Sequence, residues 1–283
     1  MFAERKAVRL RFGEILPPLC RAFPPDGTNP PAGRHKKGGA ALEKLLLRYP
    51  EGCRVGRFIR REKRFFVIAE LDGQEVTAHT NNTGTMLGLL RPGRPVLLSP
   101  ATNPARRLKW TVEALGLPQG NGFFWTGVNT SVPNRLLAAM FQAGLLSWAE
   151  GYDKLKGEAV NGESRLDGLL TGPGLPDLWV ECKNVTLVED EVAAFPDAVT
   201  TRGTKHLHTL MRLTAEGHRA AMLYIIQRPD GRCFGAADYI DPDYADALHQ
   251  AAEAGVEVHP VVVHVREDGI HYGGELSFRP RRS

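Results

Sequence analysis

Residues 158–187, EAVNGESRLDGLLTGPGLPDLWVECKNVTL, hold two apolar runs, 164–170 and 178–185, separated by a Gly/Pro-rich segment. Strand-length apolar runs punctuated in this way predict a β-hairpin. Each run carries charge where a strand buries apolar groups: Asp167 in the first, Glu181 and Lys183 in the second. Side chains alternate across a strand, so Glu181 and Lys183 share a face and Cys182 points to the other. An aspartate, a turn and then Glu-x-Lys suits metal-assisted hydrolysis of a phosphodiester. Two carboxylates on adjacent strands can hold a hard cation such as Mg²⁺ or Mn²⁺ through oxygen. A neighbouring ammonium then steadies the charge that develops in the transition state. Asp167 and Glu181 are the candidate metal ligands and, with Lys183, the candidate catalytic set. The plain alternative is a solvated Glu–Lys pair on an edge strand, which Glu-x-Lys alone does not exclude.

Downstream, FPDAVTTRGTKHLHTL places Asp197 in the approach to a helix and Arg202, Lys205 and His206 in its first turns. The backbone dipole is positive there and free N–H groups await an anion, so these three are candidate phosphate contacts. The alternative is the solvent face of a helix whose core residues are Leu207, Leu210 and Leu213. Around the hairpin the pattern alternates: a helix over 131–148 with Ser131 as N-cap and Pro133 in its first turn, a strand over 154–160, a helix over 202–216, a strand over 220–227, a helix over 244–254 and a strand over 256–265.

Upstream, strand-like runs at 55–62, 64–71, 75–79, 95–100, 108–115 and 123–128 are separated by the turns Asp72-Gly73, Pro92-Gly93 and Gln119-Gly120. Short strands with glycine turns fit a five-stranded OB-like barrel. Such barrels bind nucleic acid through a basic groove with aromatic stacking platforms. Arg60, Arg61, Lys63 and Arg64 lie beside Phe65 and Phe66, and Arg106, Arg107 and Lys109 lie beside Trp110. The same residues equally suit a soluble barrel exterior, with one of the adjacent phenylalanines facing the core. In the block 79–86, Asn81, Asn82, Thr83 and Gly84 are expected to form a tight turn with donors facing outward. That suits either turn chemistry or a phosphate contact, with Asn82 as the candidate.

Residues 1–52 differ from the rest, being crowded with proline, glycine and basic residues around one short apolar patch. They are expected to be largely disordered or loosely docked, apart from a short helix over 40–49. The basic tip Arg34, His35, Lys36 and Lys37 reads as an arm for nucleic acid or as the product of an over-long reading frame. Across 283 residues, 42% hydrophobic and 24% charged composition is that of an ordinary globular protein with room for two cored domains. No apolar run approaches a membrane span and the N-terminus has no apolar signal core, so a cytoplasmic location and no membrane partner are expected. Cys20, Cys53, Cys182 and Cys233 lack zinc or disulfide spacing and read as free thiols. A net charge of +4 does not by itself separate a nucleic-acid binder from a basic enzyme.

TAHTNNTGTM, GVNTSVPN, SRLDGLL, VECKNVTL and FPDAVTTRGTKHL, five blocks in order between residue 54 and the C-terminus, together resemble the sugar fermentation stimulation protein A family. The resemblance implies an α/β (α+β) fold: an N-terminal OB-like β-barrel, residues 53–130, followed by a restriction-endonuclease-like, PD-(D/E)xK mixed-sheet domain, residues 131–283. Helix, three strands, helix, strand is the element order of that core. It further implies DNA as ligand and a nuclease-like triad falling on Asp167, Glu181 and Lys183, with Glu158 matching a family glutamate that could complete a metal shell. Gly168 departs from the bulky aromatic expected after the aspartate and is expected to loosen local packing. The resulting expectation is a DNA-binding protein with a Mg²⁺- or Mn²⁺-dependent nuclease site. The alternative is a non-catalytic, non-specific DNA-binding regulator linked to sugar (maltose) metabolism. Whether the chain forms a homodimer stays open.

Overall fold

In the computed structural model, residues 44–162 and 164–279 are described. The first strand, β1 (Leu45–Arg48), is followed by β2 (Arg54–Glu62), β3 (Phe66–Leu71), β4 (Gln74–His79), β5 (Pro95–Pro100), β6 (Trp110–Gln119) and β7 (Gly122–Gly127). These last six form one sheet in the order β4-β3-β2-β5-β6-β7, and an extra parallel pairing of β4 with β6 closes β2–β6 into a five-stranded barrel. Alternation puts Phe58, Val67, Ala69, Val96, Leu98, Val112 and Leu115 inside, where they form the barrel core.

The second part begins with α1 (Val132–Gln142), then β8 (Lys154–Asn161), β9 (Ser164–Thr171), β10 (Leu178–Val185), β11 (Leu187–Glu189), β12 (Val192–Phe195), α2 (Thr201–Ala215), β13 (Arg219–Ile226), β14 (Cys233–Ala236), α3 (Pro242–Glu253), β15 (Glu257–Arg266) and β16 (Gly269–Glu275). A seven-stranded mixed sheet runs β1-β16-β15-β13-β10-β9-β8, and β11, β12 and β14 make a small second sheet. β10, β13 and β15 are parallel to one another in this series, and β10 and β13 are nearly all buried, as strands covered on both faces must be. Helix α1 packs on one face with Leu136, Leu137 and Met140. Helices α2 and α3 cover the other with Leu207, Leu210, Leu213, Tyr244 and Leu248.

Leu45–Arg48 is a strand, not part of a helix over 40–49. Its Leu-Leu-Leu run fits a helical spacing, but pairing with the otherwise open edge of β16 overrides the local preference. Tyr49 follows it into the core shared by barrel and sheet. Residues 1–43 of the expected extension, including Cys20 and the basic tip, lie outside the described residues. The expected helix over 131–148 ends at Gln142, where Gly144 adopts φ +65°. Ser131 does not cap α1 with its side chain; its hydroxyl donates to Asn129 Oδ1 instead, at 2.7 Å.

Barrel and sheet share packing as well as chain. Leu97, Ala114 and Trp125 of the barrel sit in the same core as α1 and β13. Gly127 N–H donates to Gln227 O at 3.0 Å, and a Cβ at Gly127 would collide with the Gln227 side chain, so only glycine allows this approach.

Candidate active site

β9 and β10 pair only as far as Gly168 with Val180, and beyond that point the strands part. On the outer side, Glu158 of β8 takes φ +51° while its neighbours Gly157 and Ala159 keep their register with Gly168 and Leu166. The freed backbone donor of Cys182 turns to Asp167, giving an N–H to Oδ2 bond of 2.8 Å. Asn134, from the first turn of α1, donates to Asp167 Oδ1 at 2.7 Å. Both aspartate oxygens are therefore held in place from two directions.

On β10, Lys183 Nζ donates to Glu181 Oε1 at 2.6 Å, the same-face arrangement that period-two alternation requires. The same oxygen contacts His206 Nδ1 from α2. Arg202 Nε donates to the other ring nitrogen of His206 at 3.4 Å. Glu181 is 3% exposed, and its second oxygen, Oε2, is buried with no hydrogen-bond partner. Burial pushes the Glu181 carboxyl up, but the bonds and charges of His206 and Lys183 outweigh it and leave it below the usual range. Burial and the neighbouring Glu181 charge raise Asp167 instead, opposed by Cys182 N–H and Asn134.

Two close, mutually repelling carboxylates with a buried orphan oxygen have the donor set of a hard divalent cation, which takes oxygen ligands and keeps several of its waters. Among the described residues, no group of three or more His, Cys, Asp or Glu side chains forms a complete shell. A cation held here would rely on Asp167, Glu181 and water. Glu158 does not join them: it is exposed and paired with Arg165 at 3.2 Å. Gly168 does not loosen the packing. A Cβ there would lie 2.7 Å from Leu137 Cδ2, so the glycine lets α1 approach and deliver Asn134.

The remaining candidates divide. Arg202 and Lys205 are exposed on α2, whereas His206 is buried against Glu181 and is not a surface phosphate contact. Its place follows from the helix period, since Gly203, His206, Leu210 and Leu213 fall on one buried stripe. Arg107 and Lys109 are exposed beside the half-buried Trp110, with Lys109 Nζ on Pro104 O at 2.8 Å. Arg106 donates to Thr111 Oγ1 at 3.0 Å. Phe65 is 46% exposed.

Asn82 is buried, its Oδ1 accepting from Gly84 N–H at 2.9 Å, so this turn does not face its donors outward. It is a seam between the two parts. Arg61 donates to Asn82 O and Gly84 O at 2.7 and 2.8 Å. Asp197 accepts from Met86 N–H at 2.9 Å and from Thr85 Oγ1 at 3.2 Å. Asn134 was the site residue that strand patterning could not supply; its signal was its presence in the GVNTSVPN block.

The family described as "Sugar fermentation stimulation protein RE domain" matches residues 131–269, and "SfsA N-terminal OB domain" matches residues 59–121. A protein of Maridesulfovibrio salexigens described as a sugar fermentation stimulation protein homolog is 55% identical over 237 residues, covering 83% of this chain and 98% of its own. A homolog from Lawsonia intracellularis is 46% identical over 254 residues, covering 82% and 97%. The solved structure of Pyrococcus furiosus SfsA in complex with Ca²⁺ superposes with a TM-score of 0.76 at 28% identity, over 83% of this chain and 99% of that one. With its OB barrel followed by a restriction-endonuclease-like domain, the chain belongs to the sugar fermentation stimulation protein family.

Proposed function

We propose that the chain is a divalent-metal-dependent nuclease that hydrolyses phosphodiester bonds in DNA. The observation that carries this reading is the buried, partnerless Glu181 Oε2, set close enough to Asp167 for the two charges to repel. Without a cation such a pair also repels a phosphate backbone. Mg²⁺ or Mn²⁺, when bound, would supply charge for the phosphoryl oxygen and a water of lowered pKa. Asp167 and Glu181 would hold it. Asn134 and the Cys182 N–H fix the Asp167 carboxylate, and His206 fixes and keeps ionised that of Glu181. Lys183, 15% exposed, reaches from the protein side to the open face, where its ammonium orients the attacking water and steadies developing charge. That the Pyrococcus furiosus relative was solved with Ca²⁺, another oxygen-seeking cation, supports a cation site in this chain. Exposed Arg202 and Lys205 at the start of α2 would hold phosphates, and the barrel's exposed Phe65, Arg107 and Lys109 would guide the strand.

The test is a cleavage assay on single-stranded, duplex and branched DNA with Mg²⁺, Mn²⁺ or chelator, beside Asp167→Ala and with binding followed in parallel. Metal-dependent cleavage that Asp167→Ala abolishes is the expected result. Intact binding with no cleavage of any substrate would make the fold a DNA-binding scaffold of regulatory use. Binding that does not weaken with salt would remove nucleic acid as the ligand, because phosphate contacts release counterions.

A further inference from the structure

Between the barrel and the nuclease-like domain lies a cleft of about 870 Å³ that neither Asp167 nor Glu181 lines. Its size is within that of small-ligand pockets, roughly 300–1,000 Å³, which favour domain seams. Three elements bring an arginine to it: Arg48 from β1, Arg106 from the loop before β6, and Arg135 from α1. Arg48 and Arg135 are exposed and form no ion pair among the described residues. The deeper wall is of another kind. Glu113 is 6% exposed, its carboxylate accepting from Ser99 Oγ at 2.6 Å and from Asn129 Nδ2 at 2.9 Å. Both donors are neutral. Tyr49 is 7% exposed, and its buried hydroxyl has no hydrogen-bond partner.

A bare anion suits the arginines and is repelled by Glu113. A neutral molecule suits Glu113 and Tyr49 and leaves the arginines unused. A ligand that satisfies both carries a phosphate at one end and N–H or O–H donors at the other. Pro50, Pro100 and Leu108 line the cleft with apolar surface for a flat ring. We infer that this cleft binds a nucleotide, its phosphate at Arg48, Arg106 and Arg135 and its base or sugar toward Glu113 and Tyr49. The nucleotide comes either free or as the phosphorylated end of a strand. Because the cleft is built from other residues, this inference does not rest on the nuclease reading.

Calorimetric titration of the full chain tests it, with deoxynucleoside 5′-monophosphates, the parent nucleosides and inorganic phosphate as probes. At least one monophosphate is expected to bind about tenfold or more tighter than its nucleoside or phosphate alone. The double variant Arg48→Ala/Arg135→Ala, both residues being exposed, should lose about tenfold or more. Tyr49→Phe, which keeps the ring, should lose about fivefold. Asp167→Ala should bind as the parent does, so failure of the nuclease reading leaves this result untouched. A 5′-phosphorylated trinucleotide separates the sources: competition with the monophosphate identifies a strand end, and its exclusion identifies a free nucleotide. Equal affinity for nucleoside and monophosphate, no binding by any monophosphate, or full affinity in the double arginine variant would overturn the inference.

Discussion

Two places in the nuclease-like sheet join a glutamate to a cation and a histidine, and they end differently. At the start of β13 and β15, Arg219 grips Glu257 with two bonds of 2.8 and 2.9 Å, and His259 meets the same carboxylate at 3.0 Å. Arg219 also donates to Trp148 O at 2.8 Å, and the Trp148 ring stacks on His259 with 4.4 Å between centroids. Both oxygens of Glu257 are used. At Glu181 the lysine and the histidine crowd one oxygen and leave the other buried and empty, with a second carboxylate alongside. Buried polar groups are nearly always satisfied. The closed cluster therefore reads as an anchor for the sheet, and the open one as a site whose missing partner arrives from outside.

The largest expected effect separates the two directly. Lys183→Ala should lower DNA cleavage by on the order of 10²–10³ with its melting transition little changed, because one transition-state donor is lost from a partly open site. Arg219→Ala should do the reverse. It leaves cleavage near the parental rate but costs about 2 kcal/mol in a urea titration, since it leaves Glu257 with His259 alone and orphans Trp148 O. A Lys183→Ala protein that cleaves normally yet unfolds early would put both clusters in the structural class.

Gly168→Ala sharpens the comparison from the open side. The added methyl meets Leu137 Cδ2 at 2.7 Å, and α1 must yield or β9 must shift. Overpacking of this kind costs about 1–2 kcal/mol. Either movement disturbs the Asn134–Asp167 bond, so stability and cleavage should fall together, while Arg219 and Glu257 stay as they are. A variant that loses stability but keeps full cleavage would show that Asn134 does not position Asp167.

What could be read in advance follows from the range over which each feature is determined. The Asp167, Glu181 and Lys183 set is visible because strand alternation is local, and two charges two residues apart must share a face. The barrel strands and the helices α2 and α3 are visible for the same reason. β1, β11 and β12 escape because runs of three or four residues carry no period, and β16 escapes because GIHYGGE spends three of its positions on glycine. The parting of β9 from β10, the Asn134 bond and the seam from Asp197 to Met86 all arise from elements docking over long separations, which periodicity cannot encode. His206 is an intermediate case. Its helix stripe was legible, but the charges around it suggested a surface role, and burial against Glu181 decided otherwise.

The smallest effect is a pH dependence confined to the closed cluster. Burial pushes the Glu257 carboxyl up, but His259 and Arg219 outweigh it and hold it below the ordinary glutamate value. A carboxyl with a depressed folded-state pKa stabilises the fold fully above its unfolded pKa of about 4.3, and the contribution is lost as pH falls through the folded value. Glu257→Gln keeps the shape and removes the charge. At pH 7 it should therefore be less stable than the parent by about 1 kcal/mol. The gap should narrow from about pH 5 downward and close only once pH has fallen below the depressed folded value, as the parent's own carboxyl protonates. Urea midpoints of the two proteins across this range measure it. A gap that persists undiminished in acid would mean that Glu257 acts through shape alone, and the contrast with Glu181 would then rest only on the empty oxygen.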